Sequence, residues 1–217
     1  MNREESALEK MRKEYSKRQL EIDEVHPDPF TQFQQWFDQV KADDQFEANA
    51  MTLATADAAG RPSARIVLLK GITEKGYVWY TNYESKKGQD LLTNPYAALV
   101  FHWAPLEQQI RIEGKVRRIS PEASDAYFNV RPKGSRIGAI ASPQSSVIEN
   151  RQVLEDKVKE LNTQFAETEQ IPRPTNWGGY ELIPDRFEFW QGRPSRLHDR
   201  IVYQKSETGW SIERVAP

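Results

Sequence analysis

The sequence predicts a mainly β protein, an antiparallel barrel with helices at its periphery. Three observations lead there. Segments with β-compatible patterning outnumber helical ones. Successive β segments are separated by short turns, which suit hairpins, whereas parallel strands need crossovers of a dozen residues or more. Aromatic residues make up 11% of the chain and include six Trp, a supply suited to a dense β core or to stacking surfaces. The remaining composition limits function. Of 217 residues, 30 are Lys or Arg and 32 are Asp or Glu, a formal net charge of −2, which argues against a general nucleic-acid binder. With no Cys, disulfides, thiolate metal sites and a catalytic thiol are excluded. The apolar run Ala97–Phe101 falls far short of the roughly 18 residues of a membrane span. Met1–Arg18 is charged and has no apolar centre, so no signal peptide is expected and the cytoplasm is the expected compartment.

Residues 1–27 are expected to form a flexible N-terminal segment and 28–217 a single domain. Leu8, Met11 and Tyr15 recur at spacings of three and four, the pattern of a weak amphipathic helix. Pro27 and Pro29 interrupt it, and Asp28 before Pro29 is an N-cap with proline at the first helical position. Phe30, Phe33, Trp36, Phe37 and Val40 then mark one helix face. Strands are expected at Ala50–Ala56, Ser63–Lys70 and Tyr77–Asn82, with turns at Asp57–Gly60 and Glu74–Gly76. Ser85 caps a helix through Leu92, which ends at Asn94-Pro95. Ala97–Trp103 and Gln108–Ile119 read as strands; Pro121–Asn129, Ser135–Ala141 and Glu149–Phe165 read as helices. After the proline-rich loop Ile171–Asn176, the strands Tyr180–Trp190, Leu197–Lys205 and Trp210–Val215 complete the chain.

Common nucleotide and metal motifs are missing. There is no Gly-x-Gly-x-x-Gly, and although Gly71 and Gly76 have the outer spacing of a phosphate loop, Tyr77 stands at the lysine position. His26, His102 and His198 never form ligand pairs, so no metal is expected. Any phosphate must be held by side chains and helix starts, and four segments offer them. In Phe187–Arg200, the side-chain period of two puts Arg196, His198 and Arg200 on one face of an extended strand; that face needs an anion, or carboxylates such as Glu188 and Asp199. Arg65 and Lys70 bracket an apolar strand at an odd spacing of five, so they point to opposite faces and serve two anions, or else reach solvent. Tyr80–Gly88 joins a strand end to a helix start with Lys86 and Lys87, which favours an anion unless the helix is an ordinary surface one. Tyr127 and Arg131 are i and i+4, with Ser135 following Pro132, a set of donors suited to a phosphate or to plain helix packing.

Together these residues resemble the pyridoxine/pyridoxamine 5′-phosphate oxidase family. The block Glu188-Phe189-Trp190-Gln191 … Arg196-Leu197-His198-Asp199-Arg200 is similar to its hallmark, and the other segments follow in the family's order from about Met11 to Pro217. The resemblance implies an FMN-binding split β-barrel, a homodimer with FMN at the interface, and no nucleic-acid or membrane partner. It implies oxidation of pyridoxamine 5′-phosphate or pyridoxine 5′-phosphate to pyridoxal 5′-phosphate, with dioxygen reduced to peroxide. By resemblance, the FMN contacts are Arg65, Ile66, Val67, Leu68, Leu69, Lys70, Tyr80, Thr81, Lys86, Lys87, Gln109, Gln144, Ser145, Trp190 and Arg200. The substrate contacts are Arg12, Tyr15, Lys70, Tyr127, Arg131, Ser135, Arg196, Leu197 and His198, with Arg196 and His198 as the catalytic pair and Arg12–Tyr15 on a mobile flap. The chain departs from the common family pattern at Lys86, Gln108 and Ile140. A split-barrel flavin reductase would share the flavin site but would not need Tyr127, Arg131, Ser135 and the Arg-Leu-His block together. A non-catalytic carrier and a structural dimerisation module are the remaining alternatives.

Overall fold

The computed structural model describes residues 7–11, 14–41 and 47–217. Nine strands form one sheet among these residues: β1 (Ala50–Ala56), β2 (Pro62–Leu68), β3 (Gly71–Ile72), β4 (Tyr77–Asn82), β5 (Tyr96–Trp103), β6 (Gln108–Arg118), β7 (Trp177–Gln191), β8 (Asp199–Ser206) and β9 (Gly209–Arg214). Their order is β2-β1-β5-β6-β7-β4-β3, with β8 paired to β7 and β9 to β8. The helices are α1 (Ala7–Lys10), α2 (Pro29–Lys41), α3 (Lys86–Thr93), α4 (Pro121–Val130), α5 (Lys133–Ala141) and α6 (Gln152–Gln164). The antiparallel, mainly β class expected from the sequence is the class observed.

The described residues fall into two compact units. One comprises Met1–Ala48, Val100–Ile112 and Arg186–Pro217; the other comprises Asn49–Leu99 and Glu113–Asp185. In the first, α2 starts where Asp28 caps it: the carboxylate accepts from the Thr31 N–H at 2.9 Å and the Thr31 hydroxyl at 2.7 Å. Its apolar face buries Phe33, Trp36 and Val40. Phe33 meets Phe101 edge-on at 5.1 Å, and Trp36 meets Phe189 at 5.3 Å. Burial of each such side chain contributes roughly 2–3 kcal/mol.

The second unit holds an alternating strand, β1, with Met51, Leu53 and Thr55 inward, paired to β2 in the register Leu53↔Arg65 and Thr55↔Ser63. β2 has no fully buried residue and ends one path of the sheet. The Ser85 hydroxyl caps α3 by accepting from the Gly88 N–H. Gly88 is required there, since a Cβ would lie 2.0 Å from the Tyr83 carbonyl oxygen. A separate core of Phe128, Ile137, Leu161, Ile171 and Trp177 unites α4, α5, α6 and the start of β7.

Three expectations are corrected. The N-terminal helix is one short turn, Ala7–Lys10, and does not reach Tyr15. The last hairpin does not start at Leu197: Pro194–Arg196 is a tight turn with Ser195 at φ 58° and Arg196 at φ 63°, so β8 starts only at Asp199. Left-handed backbone breaks the two-residue period, and Arg196, His198 and Arg200 therefore do not share a strand face. Nor are Arg65 and Lys70 on opposite faces of one strand, because β2 stops at Leu68. The chain there passes into β3 alongside β4, with the Lys70 N–H donating to the Val78 carbonyl.

Candidate active site

In the second unit a cavity of about 590 Å³ lies between β2, the end of β4, the start of α3, α4 and α5. Twelve of the sequence-nominated residues line it: Arg65, Ile66, Val67, Leu68, Lys70, Tyr80, Thr81, Lys87, Tyr127, Arg131, Ser135 and Gln144. Both cationic ends of the Arg65–Lys70 segment thus reach one cavity. Leu69 is buried and Ser145, at φ 72°, is exposed; neither lines it.

The β1–β2 register aims Arg65. Its Nη1 donates to the Leu53 carbonyl at 3.1 Å and to Thr55 Oγ1 at 2.8 Å, and its Nη2 donates to Ser63 Oγ at 2.7 Å. Thr55 Oγ1 donates in turn to the buried Asp90 carboxylate at 2.7 Å. Burial alone would raise the Asp90 pKa; hydrogen bonds from Lys86 and Thr55 and the charges of Lys86 and Arg65 outweigh it and hold the group below its usual range. The Lys86 ammonium is engaged with Asp90 and does not line the cavity.

Lys87 does line it. The residue is 7% exposed, and among the described residues its ammonium donates only to neutral oxygens, Thr81 Oγ1 at 3.2 Å, Ser85 Oγ at 3.3 Å and Gln144 Oε1 at 3.2 Å. Burial, and then the nearby Arg65 charge, push its pKa down to about 8. A buried ammonium beside a guanidinium, with neutral acceptors alone, is a cradle for an anion.

A second group of donors lines the same cavity. Arg131 caps the end of α4, its guanidinium 4.6 Å over the Trp177 ring, and its Nη1 is buried with no hydrogen-bond partner among the described residues. Tyr127 stacks on Tyr80 at 3.8 Å, and Tyr80 stacks on Trp177 at 5.5 Å. Burial raises the pKa of Tyr127 against the pull of Arg131, which keeps its phenol protonated as a donor. Ser135 and Lys70 complete the set. Trp177, not singled out from the sequence, also lines the cavity, as do Asn82 of the Tyr80–Gly88 segment and Ser142. A Trp before two glycines was the only trace of the first, and the pairings that make these residues neighbours are long-range.

The first unit gathers a different group. Tyr15, Arg196 and His198, with Met11, Glu14, Arg193 and Ser195, line a cleft of about 630 Å³. Trp190 stands beside it, 4.6 Å from the His198 ring and 5.7 Å from the Tyr15 ring. His198 Nδ1 accepts from the Arg193 N–H at 3.1 Å, which places the neutral ring's proton on Nε2. Burial first, then the Arg196 charge, lower the His198 pKa, with Asp199 opposing. Arg200 turns away to a carboxylate: its Nε and Nη2 donate to the two oxygens of buried Glu188 at 3.0 Å each. The carboxylate pairing expected for this block is thus realised at Arg200. Leu197 is 70% exposed and Gln109 is half-buried on β6; neither lines the cleft. Arg12 lies outside the described residues.

Two family models match the chain, one described as pyridoxamine 5′-phosphate oxidase over residues 38–165 and one as the pyridoxine 5′-phosphate oxidase C-terminal dimerisation region over residues 177–217. A protein of Paraburkholderia phymatum named pyridoxine/pyridoxamine 5′-phosphate oxidase is 58% identical over 213 residues, covering 98% of this chain and 100% of the relative. One of the same name from Burkholderia thailandensis is 54% identical over 215 residues, with 98% and 100% covered. Among solved structures, PhzG of Burkholderia lata, in complex with tetrahydrophenazine-1-carboxylic acid, superposes with a TM-score of 0.84 at 28% identity, covering 90% of this chain and 95% of that one. A pyridoxamine 5′-phosphate oxidase-related, FMN-binding protein of Nostoc punctiforme shares the fold at a TM-score of 0.68 and 19% identity, with 85% and 95% covered.

Proposed function

From the premise that the chain belongs to the pyridoxamine 5′-phosphate oxidase family, with its split-barrel fold, we propose that it is an FMN-dependent oxidase. It converts pyridoxamine 5′-phosphate and pyridoxine 5′-phosphate to pyridoxal 5′-phosphate and reduces dioxygen to hydrogen peroxide. The observation that carries this reading is the meeting of two clusters of cationic and hydroxyl donors on one cavity, Arg65 with Lys87 and Lys70 with Tyr127, Arg131 and Ser135.

The donors present fit both phosphates. Lys87, buried among neutral oxygens, and Arg65 would hold the phosphate of FMN, and the Nη1 of Arg131, without a hydrogen-bond partner among the described residues, would donate to an oxygen of the substrate ester. When bound, FMN supplies the two-electron acceptor and its reoxidation by dioxygen. The chain's own work is placement. Anchoring the substrate phosphate through Lys70, Tyr127, Arg131 and Ser135 converts binding energy remote from the reacting carbon into orientation. The Arg196 guanidinium is assigned to the pyridine ring, and His198, neutral with its proton on Nε2, to a hydrogen bond with the substrate. The family's dimerisation region over residues 177–217 supports a homodimer, with FMN proposed at its interface.

Anaerobic mixing with each vitamer tests the reading. Bleaching of the flavin absorbance, its return in air and one peroxide per pyridoxal 5′-phosphate formed are expected. A yellow protein that neither vitamer bleaches is a carrier instead, and bleaching by tetrahydrophenazine-1-carboxylic acid alone would move the substrate to the compound bound in PhzG.

A further inference from the structure

Glu107 has no part in the chemistry described above, yet it is 2% exposed and sits at φ 57°, a left-handed conformation uncommon for a non-glycine residue. It forms the tight link between β5 and β6. Its carboxylate reaches back to the N-terminal segment, where Oε2 accepts from two consecutive backbone groups, the Ser16 N–H at 2.9 Å and the Lys17 N–H at 3.1 Å. Its own carbonyl accepts from the Gly192 N–H at 2.8 Å and from Gln191 Nε2 at 3.1 Å. One residue thus ties the N-terminal segment to the end of β7.

The residue placed by this tie is Tyr15. Its ring lies against Gly192, where a Cβ would come within 2.7 Å of Tyr15 Cγ, and it contacts both Trp190 and His198. The segment forms no helix at this point, so no secondary structure of its own fixes Tyr15. A carboxylate on two adjacent amides is a strong, directional contact. We propose that Glu107 is a positioning residue, a latch that holds the N-terminal segment so that Tyr15 closes the cleft containing Arg196 and His198. Its effect on turnover rests on the oxidase reading; the latch itself does not.

The test uses the FMN-loaded protein with Glu107→Ala and Glu107→Gln. The amide of Gln keeps one acceptor oxygen for the two N–H groups, and Ala keeps none. Limited trypsin digestion, mapped by mass spectrometry, reads cleavage after Lys17 and Arg18. Cleavage is expected to be about tenfold faster in Glu107→Ala and close to wild type in Glu107→Gln. The KM for pyridoxamine 5′-phosphate should rise in the Ala variant more than kcat falls, with flavin content unchanged. Should Glu107→Ala fail to fold, Glu107→Asp, whose side chain is one methylene shorter, draws the carboxylate back from the Ser16 and Lys17 N–H groups, and it should speed cleavage of the same two bonds. Wild-type cleavage in Glu107→Ala, or in Glu107→Asp where the first variant does not fold, overturns the proposal. So does equal release by the Ala and Gln variants. An inactive wild-type protein with the expected digestion pattern would sink the oxidase reading and leave the latch standing.

Discussion

Lys87 is the residue whose charge most affects the proposed anion cradle, because burial depresses its pKa. Its pKa of about 8 means that the ligand-free protein loses this ammonium as pH rises past 8, and keeps it below. Anion binding favours the charged form, so binding takes up a proton. FMN affinity should fall with rising pH above about 8, by up to tenfold per unit, as read by fluorescence titration of the apoprotein. A flat profile from pH 7 to 9.5 would remove Lys87 from the cradle. Arg131 is the counterpart in the proposed substrate-phosphate group. Arg131→Lys replaces a planar fork stacked on Trp177 by a point charge, and should raise the KM for either vitamer by about tenfold, with flavin content intact; an unchanged KM would count against the assignment. The nature of these residues is visible in the sequence because cations and phenols at strand ends and helix starts stand out. Their supports are not: Asp90 and Thr55 behind Arg65, and Trp177 beneath Arg131, become neighbours only through pairings across tens of residues.

Elements were legible wherever local chemistry and the apolar period agreed. Asp28-Pro29 and Ser85 both start helices where capping demands it, and β1, β4 and β6 lie within a residue of their expected ranges. The failures share one cause. Parity arguments assume a regular strand, and the backbone leaves that regularity in a break between β2 and β3 at Leu69-Lys70 and in a left-handed turn at Ser195-Arg196, neither of which a residue type announces; even Pro194 signals a turn without its left-handed successor. The helix α2 gives a direct test of packing. Phe33 is fully buried between Phe101 and Trp103, so Phe33→Ala should cost about 3–5 kcal/mol of stability, read as a lower urea midpoint with unchanged slope. A loss below 1 kcal/mol would mean that α2 is not held through this ring.

At the scale of the molecule, the match of residues 177–217 to a dimerisation region predicts a mass near twice the 25.1 kDa chain by light scattering at micromolar concentration, and a monomer at that concentration would contradict it. FMN bound to the folded state alone should raise the melting temperature in step with its concentration. The two units are not consecutive along the chain: one is assembled from three stretches and the other from two, and β5, β6 and β7 each run from one into the other. No single cut therefore frees either unit intact, and grafting one onto a foreign host would require breaking three strands at mid-length. Swaps between relatives have to follow the loops that join whole elements, such as 165–176 between α6 and β7, rather than the borders of the compact halves.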